Sequence, residues 1–236
     1  MKIMLDAGHG YSTPGKCSPD GMKEYEFNRA TVQYMNVLLQ EYANVTVYYA
    51  HSDSRDVPLN ERTNQANSLN VDCYVSIHAN ASGNGDWDDA EGIETYVYNT
   101  KPKEAFTLAN RIQKRITSLT GAKNRGVKTA DFHVLRATKM TAVLVECGFM
   151  TSRTDVKLLR SEYYRKKCAQ AIVDALAAHY SLKKKAQPVT QSINSLCIAP
   201  QNVYKVQIGA FADKRNAENL VTHLNELGFK PIIISE

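Results

Sequence analysis

The 236-residue sequence has no hydrophobic run long enough to cross a membrane. A transmembrane helix needs about 20 consecutive apolar residues, and no segment approaches that length, so no membrane insertion is expected. At the N-terminus, Asp6 and Gly8 interrupt the sequence before an apolar stretch of signal-peptide length can form. We therefore expect the protein to be made in the cytoplasm without a signal peptide.

Cysteine, glycine and proline are all scarce. The five cysteines are scattered and no pair has the Cys-x-x-Cys spacing, which argues against a disulfide framework and against a cysteine-rich zinc site. With 12 glycines, 7 prolines and 43% hydrophobic residues, the composition is that of a folded globular protein and not of a fibrous or disordered one. The net charge of +5 is too small to indicate nucleic-acid binding, so no nucleic-acid partner is expected.

Segments with strand and helix periodicity alternate along the first 180 residues. This alternation predicts an α/β domain whose mainly parallel, twisted sheet is flanked by helices. Residues 181–202, with three consecutive lysines and two prolines, have the composition of a linker. Residues 203–236 predict a small C-terminal βαβ unit in which Asp213 caps the helix. The predicted strands are 2–6, 45–49, 71–77, 93–98 and 141–146, and the predicted helices are 24–42, 59–69, 103–119 and 161–179.

Four residues capable of metal or acid–base chemistry stand at the ends of these segments. His9 follows the first strand, His78 follows the third, Glu146 ends the late apolar strand and Glu24 opens the first long helix. Functional sites in parallel α/β sheets form at the carboxyl ends of strands. Two imidazoles and a carboxylate are the ligand set of a hydrolytic zinc site, and a further carboxylate can supply the general base. The spacing alone does not prove such a site, because single residues of these types are often structural.

A succession of short motifs runs through residues 2–180. They are Asp6-Ala7-Gly8-His9-Gly10, Glu24 with Asn28, Leu59-x-x-Arg62 with Ala66-Asn67, Ser76-Ile77-His78-Ala79-Asn80-Ala81, Arg125-Gly126-Val127-Lys128, Val134-Leu135-Arg136 and Val143-Leu144-Val145-Glu146-Cys147-Gly148-Phe149. In this order they resemble the zinc-dependent N-acetylmuramoyl-L-alanine amidases of the amidase-3 family. The resemblance implies a catalytic domain over residues 1–180 that hydrolyses the amide between N-acetylmuramic acid and L-alanine in bacterial peptidoglycan, with one zinc ion per chain.

Carried over position by position, the resemblance makes His9, Glu24 and His78 the zinc ligands and Glu146 the catalytic carboxylate. Glu26 is a rival for Glu24, but the two side chains point about 200° apart on a helix, and the motif selects Glu24. Cys147 is the neighbour of Glu146 and points to the opposite face of its strand, so we expect a buried structural thiol there and not a nucleophile.

Three further residues of the first domain are candidates for substrate binding. Arg62 and Asn80 belong to the matched motifs, and Trp87 lies in an acidic loop. Asn80 is expected either to orient an imidazole or substrate, or to take part in ordinary loop hydrogen bonding. Trp87 is expected either to stack on a sugar ring or to cover an edge of the core.

The C-terminal unit carries a second resemblance. The segment Tyr204-Lys205-Val206-Gln207-Ile208-Gly209-Ala210-Phe211, followed by Asn216-Ala217 and Leu224-x-x-Leu227-Gly228-Phe229, resembles the first half of a SPOR domain. This implies binding to peptidoglycan glycan strands, with Gln207 and Phe211 as candidate contacts. A unit of about 35 residues buries too little apolar surface to stand alone, and its strands leave unpaired edges. We expect residues 203–236 to pair with a second copy in a homodimer or with a C-terminal fragment.

Two other functions stay open at the level of sequence: a zinc peptidase that cuts peptidoglycan stem peptides, and a wall-binding protein without catalysis. The biological setting is also open. A phage endolysin, which we favour, and a sporulation autolysin both act on the cell wall after release from the cytoplasm.

Overall fold

The computed structural model consists of two compact units, Met1–Gln187 and Pro188–Glu236. Within the part of the chain that the structure describes, no helix is long and apolar enough to cross a membrane. The described residues are 1–13, 15–185, 209, 213–226 and 231–233.

The larger unit alternates strands with helices, as predicted. Its described residues form the strands β1 (Lys2–Ala7), β2 (Thr46–Tyr49), β3 (Cys73–Asn80), β4 (Ile93–Val97), β5 (Asn124–Thr129) and β6 (Thr141–Phe149). They also form the helices α1 (Glu24–Leu39), α2 (Leu59–Leu69), α3 (Lys103–Thr120), α4 (His133–Arg136), α5 (Asp155–Arg160) and α6 (Glu162–Tyr180).

The six strands form one sheet in the order β2-β1-β3-β6-β4-β5. The first four of these are parallel to one another, β4 runs antiparallel to β6, and β5 is parallel to β4. The predicted mainly parallel α/β fold is therefore confirmed. The sequence did not predict β5, since its residues lack an apolar alternation and contain a glycine at position 126.

The two faces of the sheet are covered differently. Helices α1, α3 and α6 pack on one face and bury the residues Ile3, Leu5, Val75, Ile77 and Val145. Helices α2 and α4 cover a smaller apolar cluster on the other face. Because side chains alternate along a strand, the second face also receives Asp6, Ser76, His78, Glu94 and Glu146.

The larger unit continues past residue 180, where the sequence predicted the domain to end. Ser161 caps α6 by accepting a hydrogen bond from the Tyr164 amide, as its position before the apolar stripe suggested. After the helix, Leu182 packs against the core. The Lys183 carbonyl then accepts from the Ala43 amide at 2.8 Å, and the Lys185 amide donates to the Glu41 carbonyl at 2.7 Å. These bonds attach the first residues of the predicted linker to the larger unit.

The smaller unit contains helix α7 (Lys214–Glu226). The Asp213 carboxylate accepts from the Arg215 amide at 2.9 Å and so acts as the predicted cap. Ala217, Leu220, Val221 and Leu224 are half-buried while Glu218, Asn219 and Thr222 are exposed, which agrees with the predicted apolar stripe. The two strands predicted for this unit lie largely outside the described residues.

Candidate metal centre and active site

Three predicted ligands converge at the carboxyl ends of β1 and β3. His9 follows β1, His78 lies near the end of β3, and Glu24 is the first residue of α1. One ligand atom from each of the three residues lies within 4.8 Å of the others. The Glu24 carboxylate is 2.9 Å from His78 Nδ1 and 3.2 Å from His9 Nε2. This is the site that the positions of the two histidines and Glu24 predicted.

The Glu24 carboxylate is held by main-chain groups as well as by the imidazoles. It accepts from the Lys16 amide at 2.8 Å and from the Ala79 amide at 3.1 Å, and the Asn28 amide group donates to it at 3.2 Å. Burial alone would raise the pKa of Glu24, but the hydrogen bonds from His78 and His9 lower it well below the usual carboxyl range. Glu26, by contrast, is exposed and accepts from the Lys23 amide at the start of α1.

The backbone around the site leaves no room for additional side-chain atoms. A Cβ on Gly8 would lie 2.1 Å from the His78 ring, and a Cβ on Gly15 would lie 2.4 Å from the His9 ring and 2.5 Å from Glu24 Oε2. Gly15 also has φ +78°, and His9 itself has φ 67°. Positive φ at a non-glycine residue costs on the order of 1–3 kcal/mol and is concentrated at functional sites.

A buried hydrogen-bond chain orients His78 from behind. His78 Nε2 lies 3.1 Å from Ser76 Oγ, which donates to Asp6 Oδ2 at 2.7 Å. Because the Ser76 hydroxyl proton is directed to Asp6, Ser76 Oγ accepts from His78 Nε2–H, and Nδ1 is the ring nitrogen on the side of Glu24. Arg62 completes the chain by donating to Asp6 Oδ1 at 2.7 Å. Such outer partners set the tautomer and orientation of a metal-binding imidazole.

Glu146 pairs with His78 in the register of β3 and β6, and lines the same cleft as the three ligands. Its side chain is buried, and its Oε2 has no hydrogen-bond partner among the described residues. Burial, together with the negative charges of Glu24 and Glu94, raises the pKa of Glu146 well above the usual carboxyl range. A buried carboxyl group with a raised pKa beside a cluster of potential metal ligands is a candidate general base.

Glu94 is a buried carboxylate that the sequence analysis missed. It accepts from Asn80 Nδ2 at 2.7 Å, Tyr96 OH at 2.6 Å and Arg125 Nε at 2.7 Å, and it pairs with Lys128. Although burial raises its pKa, these bonds lower it overall. In the sequence, Glu94 stands in a strand whose apolar and polar residues alternate in the usual way. The one sequence feature that could have indicated a buried anion is the pair of cations in the Arg125–Lys128 motif.

The donors at this site fit zinc. Zinc prefers imidazole nitrogen and carboxylate oxygen, and hydrolytic zinc sites use three protein ligands and keep a fourth position for water or substrate. His9, Glu24 and His78 supply that set, and Glu146 lines the same cleft, with its buried Oε2 unpartnered among the described residues.

The cleft has a volume of about 660 Å³. The metal-binding side chains and Glu146 form its polar part. Apolar side chains also line it: Val57, Pro58, Leu59, Phe132, Val134 and Leu144. Leu59 and Phe132 are exposed, at 52% and 38%.

The predicted substrate-binding residues differ in where the structure places them. Asn80 lines the cleft and donates to Glu94. Trp87 lines a different cleft, packs against the core and carries the Arg153 guanidinium 4.6 Å above its ring, which leaves it poorly placed to stack on a sugar at the metal. Gln207 and Phe211 lie outside the described residues.

Arg62 is occupied by the protein and is not free to bind substrate. Its side chain is 3% exposed. The guanidinium donates to Asp6 and to the main-chain carbonyls of Val57, Ala7 and His9. The predicted substrate contact at Arg62 is therefore replaced by a structural role, in which the side chain holds the loop that carries His9.

The cysteines are structural in the described part of the chain. Cys73, Cys147 and Cys168 are buried free thiols and Cys17 is an exposed one. Cys147 lies in the core on the opposite face of β6 from Glu146, as the strand alternation predicted.

A mostly parallel α/β sheet that carries a His–Glu–His cluster able to hold a metal ion, with a buried carboxylate beside it, is an arrangement suited to a hydrolase. Comparison with known proteins identifies the family. Residues 3–178 match the family model of N-acetylmuramoyl-L-alanine amidase, and residues 200–236 match that of the SPOR domain. The chain belongs to the N-acetylmuramoyl-L-alanine amidase family, and the predicted peptidoglycan amidase function is confirmed.

Individual relatives agree with this assignment. The chain is 34% identical to N-acetylmuramoyl-L-alanine amidase CwlM of Bacillus licheniformis, over 99% of this chain and 85% of that protein. It is 31% identical to a sporulation-specific N-acetylmuramoyl-L-alanine amidase of Bacillus subtilis, over 99% and 84%. The crystal structure of an N-acetylmuramoyl-L-alanine amidase from Clostridium difficile 630 matches with a TM-score of 0.73 and 30% identity, over 76% of this chain and 96% of that one.

Proposed function

We propose that this amidase depends on zinc, which His9, Glu24 and His78 hold, and that Glu146 carries the proton during hydrolysis. The observation that supports this proposal most strongly is the convergence of the three ligand atoms within 4.8 Å, beside a buried carboxylate whose Oε2 has no partner among the described residues. The raised pKa of that carboxylate agrees with the role of a proton carrier.

The role of each residue in the proposed reaction follows from its contacts. Zinc, when bound, polarises the scissile carbonyl and lowers the pKa of water toward neutrality. The Glu146 carboxylate accepts the proton of the attacking water and afterwards gives it to the departing amine of L-alanine, since Glu146 lines the cleft and its Oε2 has no competing donor among the described residues. Ser76 and Asp6 keep His78 in the tautomer that presents Nδ1 to the metal.

Muropeptide analysis of digested cell walls tests the reaction. An amidase releases peptides that begin with L-alanine and leaves the glycan chains intact. Products cut within the stem peptide would instead indicate a zinc peptidase, and binding without any released peptide would indicate a wall-binding protein. Metal analysis of the same preparation tests the cofactor, with one zinc per chain expected.

We propose further that residues 203–236 bind peptidoglycan glycan strands, on the basis of the SPOR match. The homodimer expected from the sequence is part of this proposal, since the apolar stripe of α7 needs a partner surface. Light scattering of the full chain over a range of concentrations tests it. A monomer at all concentrations would contradict the dimer.

The similarity over 99% of the chain to an amidase named sporulation-specific favours a bacterial autolysin over the phage endolysin that the sequence analysis preferred. We propose that the enzyme acts on the cell wall after release from the cytoplasm. Cell fractionation during growth, sporulation and lysis tests this localisation, and active enzyme in the medium of intact growing cells would contradict it.

A further inference from the structure

Two partly exposed cations on β5 contact Glu94, the buried carboxylate that lies opposite Glu146 in the sheet. Arg125 and Lys128 both bind the buried Glu94, with side-chain exposures of 29% and 38% against 2% for the carboxylate. Neither residue touches the metal ligands, and the reaction described above does not use them.

A break in the strand register brings the two cations together. Residues three apart on a regular strand point to opposite faces, so Arg125 and Lys128 should diverge. The pairing of β4 with β5 shifts between Ile93–Asn124 and Thr95–Val127, which inserts an extra residue into β5. Gly126 occupies this bulge with φ 82°. Bulges of this kind redirect side chains and are frequent beside active sites. The Arg-Gly-x-Lys spacing therefore builds one cationic face.

The Arg125 guanidinium is held rigidly with part of its donor set unused. Nε donates to Glu94 at 2.7 Å, and the guanidinium lies 4.7 Å above the ring of the buried Phe149. Its Nη1 makes only a long 3.4 Å contact with the Glu91 carbonyl, and its Nη2 has no hydrogen-bond partner among the residues that the structure describes. A fixed guanidinium with free terminal nitrogens is suited to a carboxylate.

The charges of this cluster do not cancel. In the described part of the chain, Glu94 is the single carboxylate that forms an ion pair with Arg125 or Lys128. Within these ion pairs two cations face one anion, and Arg125 in addition lowers the pKa of the buried Asp155 without forming an ion pair with it. A purely structural network would need only one cation to neutralise Glu94, so the second is available for a ligand.

The cluster lies at a distance that matches the peptide part of the substrate. Glu146, Glu94 and the two cations occupy the adjacent strands β6, β4 and β5. Strands are about 4.8 Å apart, so β5 lies about 10 Å from β6. An extended peptide advances about 3.5 Å per residue. A peptide whose first amine lies at Glu146 therefore reaches the level of β5 with its third residue. The charged ends of Arg125 and Lys128 contact Glu94 on β4, one strand closer to β6, and so lie at the level of the second residue.

We propose that Arg125 and Lys128 form a subsite that binds a carboxylate of the stem peptide, and that Glu94 is the positioning residue that holds both cations. The inference rests on the proposed role of Glu146 at the leaving amine. In peptidoglycan the residue after L-alanine is a glutamate linked through its side chain, whose main-chain carboxylate is free in some cell walls and amidated in others. The subsite distinguishes these two forms.

The test compares two soluble muropeptides that differ only in a carboxylate or a carboxamide at the second residue. We expect the wild type to have a kcat/KM at least about tenfold higher for the carboxylate form, the usual size of one charge-assisted hydrogen bond. Arg125→Gln and Lys128→Gln each reduce this preference, with most of the change in KM, and Arg125→Lys retains part of it. Lys123→Gln, which removes an exposed cation paired with Glu91, keeps the wild-type preference.

The ratio of the kcat/KM values for the two muropeptides does not depend on the folded fraction of a variant, because both values are measured on one preparation. An equal loss on both substrates would overturn the subsite, because it would show that the cations only stabilise the fold. A wild type without preference would overturn it as well. If the wild type cleaved neither substrate between the sugar and L-alanine, the proposed function itself would fail.

Discussion

Glu94 lies directly opposite Glu146 in the register of the antiparallel strands β4 and β6. Both carboxylates are buried, but their surroundings drive their pKa values apart. Lys128, Tyr96 and Arg125 lower the pKa of Glu94 despite its burial. Burial and the charges of Glu24 and Glu94 raise the pKa of Glu146. One carboxylate is a fixed anion and the other can carry a proton, which is a division of roles seen where titratable pairs perform catalysis.

Substitution of Gly15 tests how closely the backbone approaches the metal ligands. We expect Gly15→Ala to weaken zinc binding by at least about tenfold, because its Cβ would collide with His9 and Glu24. Gly21→Ala is the matched control, since Gly21 also has positive φ but has no atom within 4 Å of an added Cβ. Competition with a metal-binding dye measures both affinities, and equal affinities would refute the collision.

Loss of the Ser76 hydroxyl tests the hydrogen bonds that link His78 to Ser76 and Ser76 to Asp6. Ser76→Ala leaves His78 Nε2 without its acceptor, and zinc affinity should fall about 10- to 100-fold. Ser118→Ala, on the exposed surface of α3, should have no effect. Unchanged affinity in Ser76→Ala would mean that the imidazole is oriented by other contacts.

Arg62 is expected to matter for stability more than for substrate affinity. Arg62→Gln leaves the buried Asp6 without its cation, and removal of one partner of a buried pair costs about 3–5 kcal/mol. Urea denaturation should show this loss in the free energy of unfolding. Arg55→Gln breaks the exposed pair with Glu61 and should leave the free energy of unfolding close to that of the wild type. If Arg62→Gln had a normal free energy of unfolding and a raised KM, Arg62 would be a substrate contact and not a structural residue.

Removal of the metal tests the cofactor independently of any substitution. Dialysis against a chelator should abolish wall hydrolysis, and stoichiometric zinc should restore it, because the two histidines and Glu24 form a zinc ligand set. The same treatment of His78→Ala should yield a protein that zinc does not reactivate. Full activity of metal-free wild type would contradict the proposal.

Much of this architecture could be predicted from the sequence. The apolar strands, the amphipathic helices and the polar residues at strand ends were visible, because periodicity and local caps determine them. Helix geometry predicts that only one of Glu24 and Glu26 faces His9, and the resemblance selects Glu24, which the structure buries while Glu26 is exposed.

The remaining features depend on contacts distant in the chain. Strand β5 has no apolar alternation, and it is held at the sheet edge by pairing with β4 and by the bulge at Gly126. The antiparallel direction of β4 is set by how the chain returns to the sheet, which no local pattern encodes. The sequence predicts a substrate contact at Arg62, whereas in the structure Asp6 and three carbonyls surround its guanidinium. The motif around Arg62 does not encode these contacts.

The central claim is that Glu146 moves the proton and does not hold the metal. The most direct measurement is zinc content and muropeptide hydrolysis of Glu146→Gln, with Glu26→Gln as the control on the exposed side of α1. We expect Glu146→Gln to retain one zinc per chain and to lose at least about a hundredfold in kcat, the usual contribution of a general base, while Glu26→Gln keeps both. Near-normal turnover of Glu146→Gln, or loss of its zinc, would contradict the account.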